Sequence, residues 1–248
     1  MHTRLSDVAY LDALERSTGQ VGALGRTVDT ALAVPSCPGW SVGDLLEHLG
    51  GVHAWSRSVI AGGNPKDPKP LIEGDPIQWY AAQAAEMLAA MRAADPQQMA
   101  WSFRADERTA GFWFRRQAHE TEMHLLDLAL AADSGTDHLP ALAADAVTET
   151  FDVMLPRMNR GAPIPITAPI LLSATDTGEQ WLLRPSDLPA TVDYTFVDSA
   201  DAAQAAVRAA APASALITGL WRRTPYAEWQ IDGDRAVLDQ LMSCALTP

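Results

Sequence analysis

Apolar residues recur at helical spacing early in the chain. Leu5, Val8, Leu11 and Leu14 form one run, and Val21, Leu24, Val28 and Leu32 continue it. The segment 34–40 cannot extend that helix. Pro35 and Pro38 lack the N–H donor, and Gly39 loosens the backbone. Ser41 then reads as an N-cap with Asp44 three positions on as its capping-box partner, which starts a second helix reaching about Ile60. Gly62, Gly63, Pro65 and Pro70 mark a loop. Asp75-Pro76 opens a third helix that runs to about Ala94. A fourth is predicted over about 108–131, ended by Asp133-Ser134-Gly135. A fifth runs from about Pro140 to Met158.

The pattern changes after Asn159. Short apolar or alternating runs at 166–174, 180–184, 190–196 and 214–221 read as strands, separated by turn signals such as Asp176-Thr177-Gly178 and Asp187-Leu188-Pro189. Helical stretches over about 199–210 and 233–244 are interleaved with them. The expected fold class is α+β. A helical bundle over residues 1–160 precedes a small α+β domain with an open sheet over 161–248.

Composition narrows the function. Asp and Glu number 31 against 18 Lys and Arg, a formal net charge of -13. Nucleic acid and anionic membrane surfaces need the opposite balance, so neither is an expected partner, although a few local arginines would still hold a small anion. Cys37 and Cys244 are the two cysteines, too few for a disulfide scaffold or a cysteine-based zinc site. The first residues carry Arg4, Asp7 and Asp12 rather than a signal-peptide core. No run of about 18 apolar residues suggests a membrane span. A cytoplasmic protein with reduced thiols is expected.

The histidines carry the chemistry. His119-Glu120 followed by His124 looks at first like a zinc-protease helix, but that motif needs histidines four apart. Five apart, His119 and His124 point some ~140° away from each other on a helix. Glu120 and His124 are four apart and share a face, a natural chelating pair. A third ligand must come from another helix, and mid-helix His48 is the best placed. His, Glu and His leave one coordination position open, the pattern of catalytic rather than structural zinc. An open position binds water or a thiol as its thiolate. The rival readings are plainer: a hydrogen-bonded core histidine at 48 and a surface contact between 120 and 124. His53 reads as a rim or packing residue and Cys37 as a packed turn residue.

These same residues carry a resemblance. Val34-Pro35-Ser36-Cys37-Pro38-Gly39-Trp40-Ser41-Val42, with Asp44, Leu45, His48, Leu49 and Gly50-Gly51-Val52-His53, resembles the first motif of the mycothiol-dependent maleylpyruvate isomerase family. Arg115-Arg116-Gln117-Ala118-His119-Glu120-Thr121 with His124 and Asp127 resembles the second. Leu220-Trp221-Arg222-Arg223 through Asp232-Gly233-Asp234 and Leu238 is similar to the end of its smaller C-terminal domain. The resemblance implies an N-terminal DinB-like four-helix bundle, a C-terminal α+β domain, and a divalent metal, usually zinc, on His48, Glu120 and His124. It also implies mycothiol, the actinobacterial counterpart of glutathione, as thiol cosubstrate. One departure is that Leu125 follows the last ligand where the family often has arginine.

Supporting roles follow from spacing. Arg116, four before Glu120, is placed to orient that carboxylate or meet a substrate carboxylate. Asp127 is placed to accept from the His124 ring or to pair with an arginine, and Asp44 to serve His48 in the same way unless it only caps its helix. Trp113, seven before Glu120, falls on the same face. Arg222 and Arg223, near an expected strand end, point to opposite faces there, so that one reaches an anionic substrate. The expected activity is attack of a metal-bound thiolate on an electrophilic small molecule. It ends either in cis-trans isomerisation of the maleylpyruvate type or in S-transfer. The alternative is a non-catalytic zinc-containing ligand-binding or regulatory protein.

Overall fold

The computed structural model describes residues 4–247 apart from 71, 73, 161, 189–191 and 197–200. Parts of the expected 190–196 strand and 199–210 helix therefore lie outside the described residues. The chain divides into two compact units, Ser6–Asp137 and His138–Pro248 with the extreme N-terminus.

The first unit is built from four helices, α1 (Asp7–Gly25), α2 (Val42–Ile60), α3 (Pro76–Ala93) and α4 (Ala110–Ala131). The starts of α1, α2 and α3 are chemically explicit, whereas Thr109 before α4 makes no side-chain cap bond. The Ser6 hydroxyl accepts from the Ala9 amide at 3.2 Å, and the Asp75 carboxylate accepts from the Ile77 amide at 3.2 Å with Pro76 behind it. Ser41 and Asp44 form both halves of a capping box on α2. α1 ends at Gly25, before Val28 and Leu32. Each helix packs on two others: α1 on α3 and α4, and α2 on α3 and α4. The core between them joins Val21, Val34, Leu45, Leu46, Leu49, Tyr80, Leu125 and Leu128. Each such side chain removed from water contributes roughly 1.5–3 kcal/mol. α4 is buried on nearly every side over Phe112–Ala129, so the polar residues it carries there are inside the protein.

The second unit starts with α5 (Pro140–Glu149), which continues as a π-helical turn (Thr150–Met154) into the short α6 (Leu155–Met158). One regular helix is expected there. Pro156 accounts for the difference, because its ring crowds the carbonyl four residues back and it offers no amide. The widened turn is pinned by two indoles. Trp181 donates to the Thr148 hydroxyl at 3.0 Å, and Trp221 to the Thr150 hydroxyl at 3.1 Å.

The remainder is a five-stranded open sheet of β1 (Ile170–Ala174), β2 (Gln180–Arg184), β3 (Asp193–Phe196), β4 (Val207–Ala211) and β5 (Gln230–Gly233), in the order β3-β2-β1-β4-β5. β1 and β4 run parallel, with Leu172 opposite Ala209, and the other pairs are antiparallel. Among the described residues, the α-helices α7 (Ala213–Leu220) and α8 (Arg235–Ser243) and two short 3-10 turns complete the unit. α7 packs on α5, β1 and β4, and α8 on β4. The packing of α5 on α7 explains why the compact units divide at Asp137/His138 rather than near 160.

Two expectations are reversed in this unit. The end of the 199–210 stretch expected as helix lies in β4, paired on both sides, and most of the 214–221 run expected as strand lies in α7. Among the described residues no helix is long and apolar enough to cross a membrane.

Candidate metal centre

The site lies on α2 and α4 of the helical unit. The segment before α2 is a tight double turn. The Cys37 amide donates to the Val34 carbonyl, Trp40 to Cys37, and Val34 back to Trp40, at 3.0, 3.0 and 2.9 Å. Gly39 has φ +85, a conformation other residues rarely adopt, so its lack of a side chain is what lets the turn close. The turn delivers Ser41 to the α2 N-terminus and sets the phase of the helix that carries His48. On α4, Arg116, Glu120 and His124 form one row at four-residue spacing, with Asp127 one turn beyond.

The three expected ligands come together. His48 Nε2 lies 3.5 Å and His124 Nε2 3.4 Å from the same oxygen, Glu120 Oε1. The two imidazole centroids are 5.1 Å apart, and one donor atom from each of the three residues falls within 4.8 Å of the others. Exposure is graded, from 29% of the His48 side chain to 9% of that of His124. The centre is thus reached from the His48 side and supported from the His124 side.

Supporting contacts divide the work. Arg116 is buried and donates to Glu120 Oε2 at 2.7 Å, so the carboxylate gives one oxygen to arginine and the other to the histidines. Of its two expected roles, orienting Glu120 is the one the geometry displays. Asp127, fully buried, meets His124 Nδ1 at 2.9 Å through Oδ2. That contact fixes the ring and turns Nε2 toward the cluster.

Electrostatics follow. Burial alone would raise Glu120, but hydrogen bonds from His124 and His48 and the Arg116 charge hold it well below the usual carboxylate range. Burial would lower His124, but Asp127 and Glu120 outweigh it and push it up to about 9. A half-buried anion between two imidazoles, backed by a guanidinium, fits a divalent cation. The donors are of the borderline nitrogen and oxygen type that zinc and its neighbours accept.

The remaining expected residues have other partners. Asp44 does not reach His48. Its carboxylate accepts from the Ser41 amide at 2.8 Å and from the Ser41 hydroxyl at 2.6 Å, bonds that hold its pKa below the ordinary value. It is a helix cap. Arg222 lies in the second unit with φ +58 just past α7, and its guanidinium donates to the Met242 and Cys244 carbonyls at 2.9 and 2.7 Å. The guanidinium therefore fastens the end of α8. Arg223 bonds the Trp221 carbonyl at 3.0 Å. Trp113 belongs to an aromatic cluster with Trp55, Trp101, Phe103 and Phe112, and its indole donates to the Trp101 carbonyl at 2.6 Å. His53 is fully buried against Thr121 Oγ1 at 3.1 Å, and burial pushes it down to about 3, so it is neutral. His119 packs edge-on against Tyr10.

Three residues of the segment before α2 also lie beside the site, of which Cys37 reads from the sequence only as a packed turn residue and Ser36 and Trp40 carry no expected role. Trp40 lies 4.8 Å from the His48 ring and stacks on His124 at 6.3 Å. Ser36 donates to Asp127 Oδ1 at 2.6 Å, and the Cys37 thiol lies 3.5 Å from Asp127 Oδ2. Cys37, His124 and Asp127 form a second group of donors within 4.8 Å of one another. The available signal was the position of all three in the tight segment leading into the helix of His48.

Residues 10–129 match the model of the mycothiol maleylpyruvate isomerase N-terminal domain, a span that includes His48, Glu120 and His124. Among curated proteins no sequence matches. Two crystal structures, of the mycothiol-dependent maleylpyruvate isomerase and of a histidine-to-alanine mutant of it, are similar in fold. Each aligns with a TM-score of 0.56 and 12% identity, over 86% of this chain and 88% of theirs. The helical part of this chain is thus similar to the mycothiol maleylpyruvate isomerase N-terminal domain, and the chain as a whole shares its fold with the two crystal structures.

Proposed function

We propose that this chain is a metal- and mycothiol-dependent enzyme acting on an electrophilic small molecule, with cis-trans isomerisation of the maleylpyruvate type as its first expected reaction. The observation that supports it most is the meeting of His48 Nε2, His124 Nε2 and Glu120 Oε1, with Asp127 behind His124. Those three residues would hold the ion, zinc first among the divalent metals. Bound there, it would lower the pKa of a thiol so that the sulfur is nucleophilic at neutral pH.

The chain's own residues do the rest. Arg116 keeps Glu120 anionic and aimed. Asp127 holds His124 with Nδ1 protonated and Nε2 facing the cluster. Trp40 packs beside both imidazoles and helps hold their planes. In the isomerisation, the mycothiol sulfur adds to one carbon of the cis double bond and the electron pair moves into the adjoining carbonyl as an enolate. The new single bond rotates, and the pair returns to expel the same thiolate. Nothing is oxidised or reduced and no group is lost. The enolate needs a cation. Arg222 is not carried forward as that cation, because its guanidinium is engaged by two carbonyls.

The test uses purified protein with zinc, mycothiol and maleylpyruvate, following the enol absorbance. Turnover that needs both metal and mycothiol is expected. Stoichiometric metal without turnover would remove the isomerase activity and leave S-transfer to another electrophile. No metal in the wild-type protein would contradict the reading.

A further inference from the structure

We infer that Ser36 is a positioning residue for the metal-facing nitrogen of His124, acting through Asp127. The inference rests on the metal-dependent reading above. It adds a residue outside α4 to the machinery.

Asp127 is a fully buried carboxylate, and such a group is stable only with good donors. Its two oxygens are used differently. Oδ2 faces His124 Nδ1 at 2.9 Å and the Cys37 thiol at 3.5 Å, whereas Oδ1 takes the Ser36 hydroxyl at 2.6 Å. A short hydroxyl-to-carboxylate bond is among the stronger kinds, while a thiol is a weak donor. The last torsion of an aspartate is soft, so a carboxylate held by one oxygen swings easily. The Ser36 bond fixes the oxygen opposite the histidine contact and so fixes that torsion. With it fixed, His124 Nδ1 keeps its partner and Nε2 stays turned toward Glu120 and His48.

Ser36 also links the two helices that supply the ligands. It sits in the double turn closed by the Val34, Cys37 and Trp40 backbone bonds. The same turn ends at Ser41, which caps the helix of His48. One side of this short segment grips α4 through Asp127, and the other starts α2. The separation between His48 and the Glu120/His124 pair is thus set by a rigid clasp as well as by helix packing.

The experiment compares wild type, Ser36→Ala and Ser36→Thr with two readouts. The first is hydrogen exchange of the His124 Nδ1 proton by NMR in the metal-free protein. The second is cobalt(II) affinity from its visible spectrum. Ser36→Ala is expected to exchange that proton at least about tenfold faster and to bind cobalt about tenfold more weakly, in the range usual for outer contacts of a metal site. Ser36→Thr, which keeps the hydroxyl, is expected to restore most of both. Equal exchange and equal affinity in Ser36→Ala would overturn the inference, as would Ser36→Thr behaving like Ser36→Ala in both. Wild type that binds no cobalt while the exchange contrast persists would overturn the metal reading and leave Ser36 as the residue that positions His124.

Discussion

The two units differ in how their sequences encode structure. In the helical unit, local signals and tertiary packing agree. Ser41 and Asp44 specify the start of α2, and the four-residue row Arg116, Glu120, His124 has one meaning on a helix. In the sheet unit they conflict. Val207–Ala211 is alanine-rich, which favours helix locally, yet it becomes β4 because β1 and β5 supply backbone partners on both sides. Ala213–Leu220, with Leu216, Ile217 and Thr218, reads as strand yet becomes α7, entered through Pro212 and closed against α5. Short elements inside a mixed sheet take their state from neighbours distant in sequence. Long helices with explicit caps do not.

The contrast is testable by substitution. The largest effect is expected in the helical unit, where chemistry depends on few atoms. His124→Ala should weaken zinc binding by more than the ~10–100-fold usual for outer contacts, measured by chelator competition, with the helical circular dichroism preserved. Zinc binding within threefold of wild type would detach His124 from the site. Next comes the sheet unit. A side chain at Gly219 would sit 2.5 Å from Trp229 Cζ2, so Gly219→Ala should lower unfolding stability by about 1–3 kcal/mol. Zinc affinity should not move. Denaturant titration and zinc titration on one sample check both halves. The smallest effect separates capping from ligation. Ser41→Ala should lose about 1 kcal/mol of stability, and Asp44→Ala should leave zinc affinity within a few-fold. A tenfold loss of zinc affinity in Asp44→Ala would mean that Asp44 serves His48 after all.

Much of the candidate site was legible because its residues lie on two long helices, one of them with an explicit capping box. Spacing alone paired Glu120 with His124 and turned His119 away, and the fold places His119 against Tyr10. Asp127 behind His124 was legible for the same reason. Ser36, Cys37 and Trp40 were not, because an irregular turn has no period from which to read direction. Arg222 was misplaced along with its surroundings. Read at the end of a strand it faces a ligand, whereas after a helix, at φ +58, it turns onto the carbonyls of Met242 and Cys244. Trp113 shows the limit of face arguments. It shares the row of Glu120 but sits two turns away, inside an aromatic cluster.

The central claim is that His48, Glu120 and His124 hold an ion with room for the mycothiol sulfur. Cobalt(II)-loaded protein titrated with mycothiol tests it most directly. The expected result is a new thiolate-to-cobalt charge-transfer band that saturates at one equivalent and is missing in His124→Ala. A cobalt spectrum that mycothiol leaves unchanged would contradict the account.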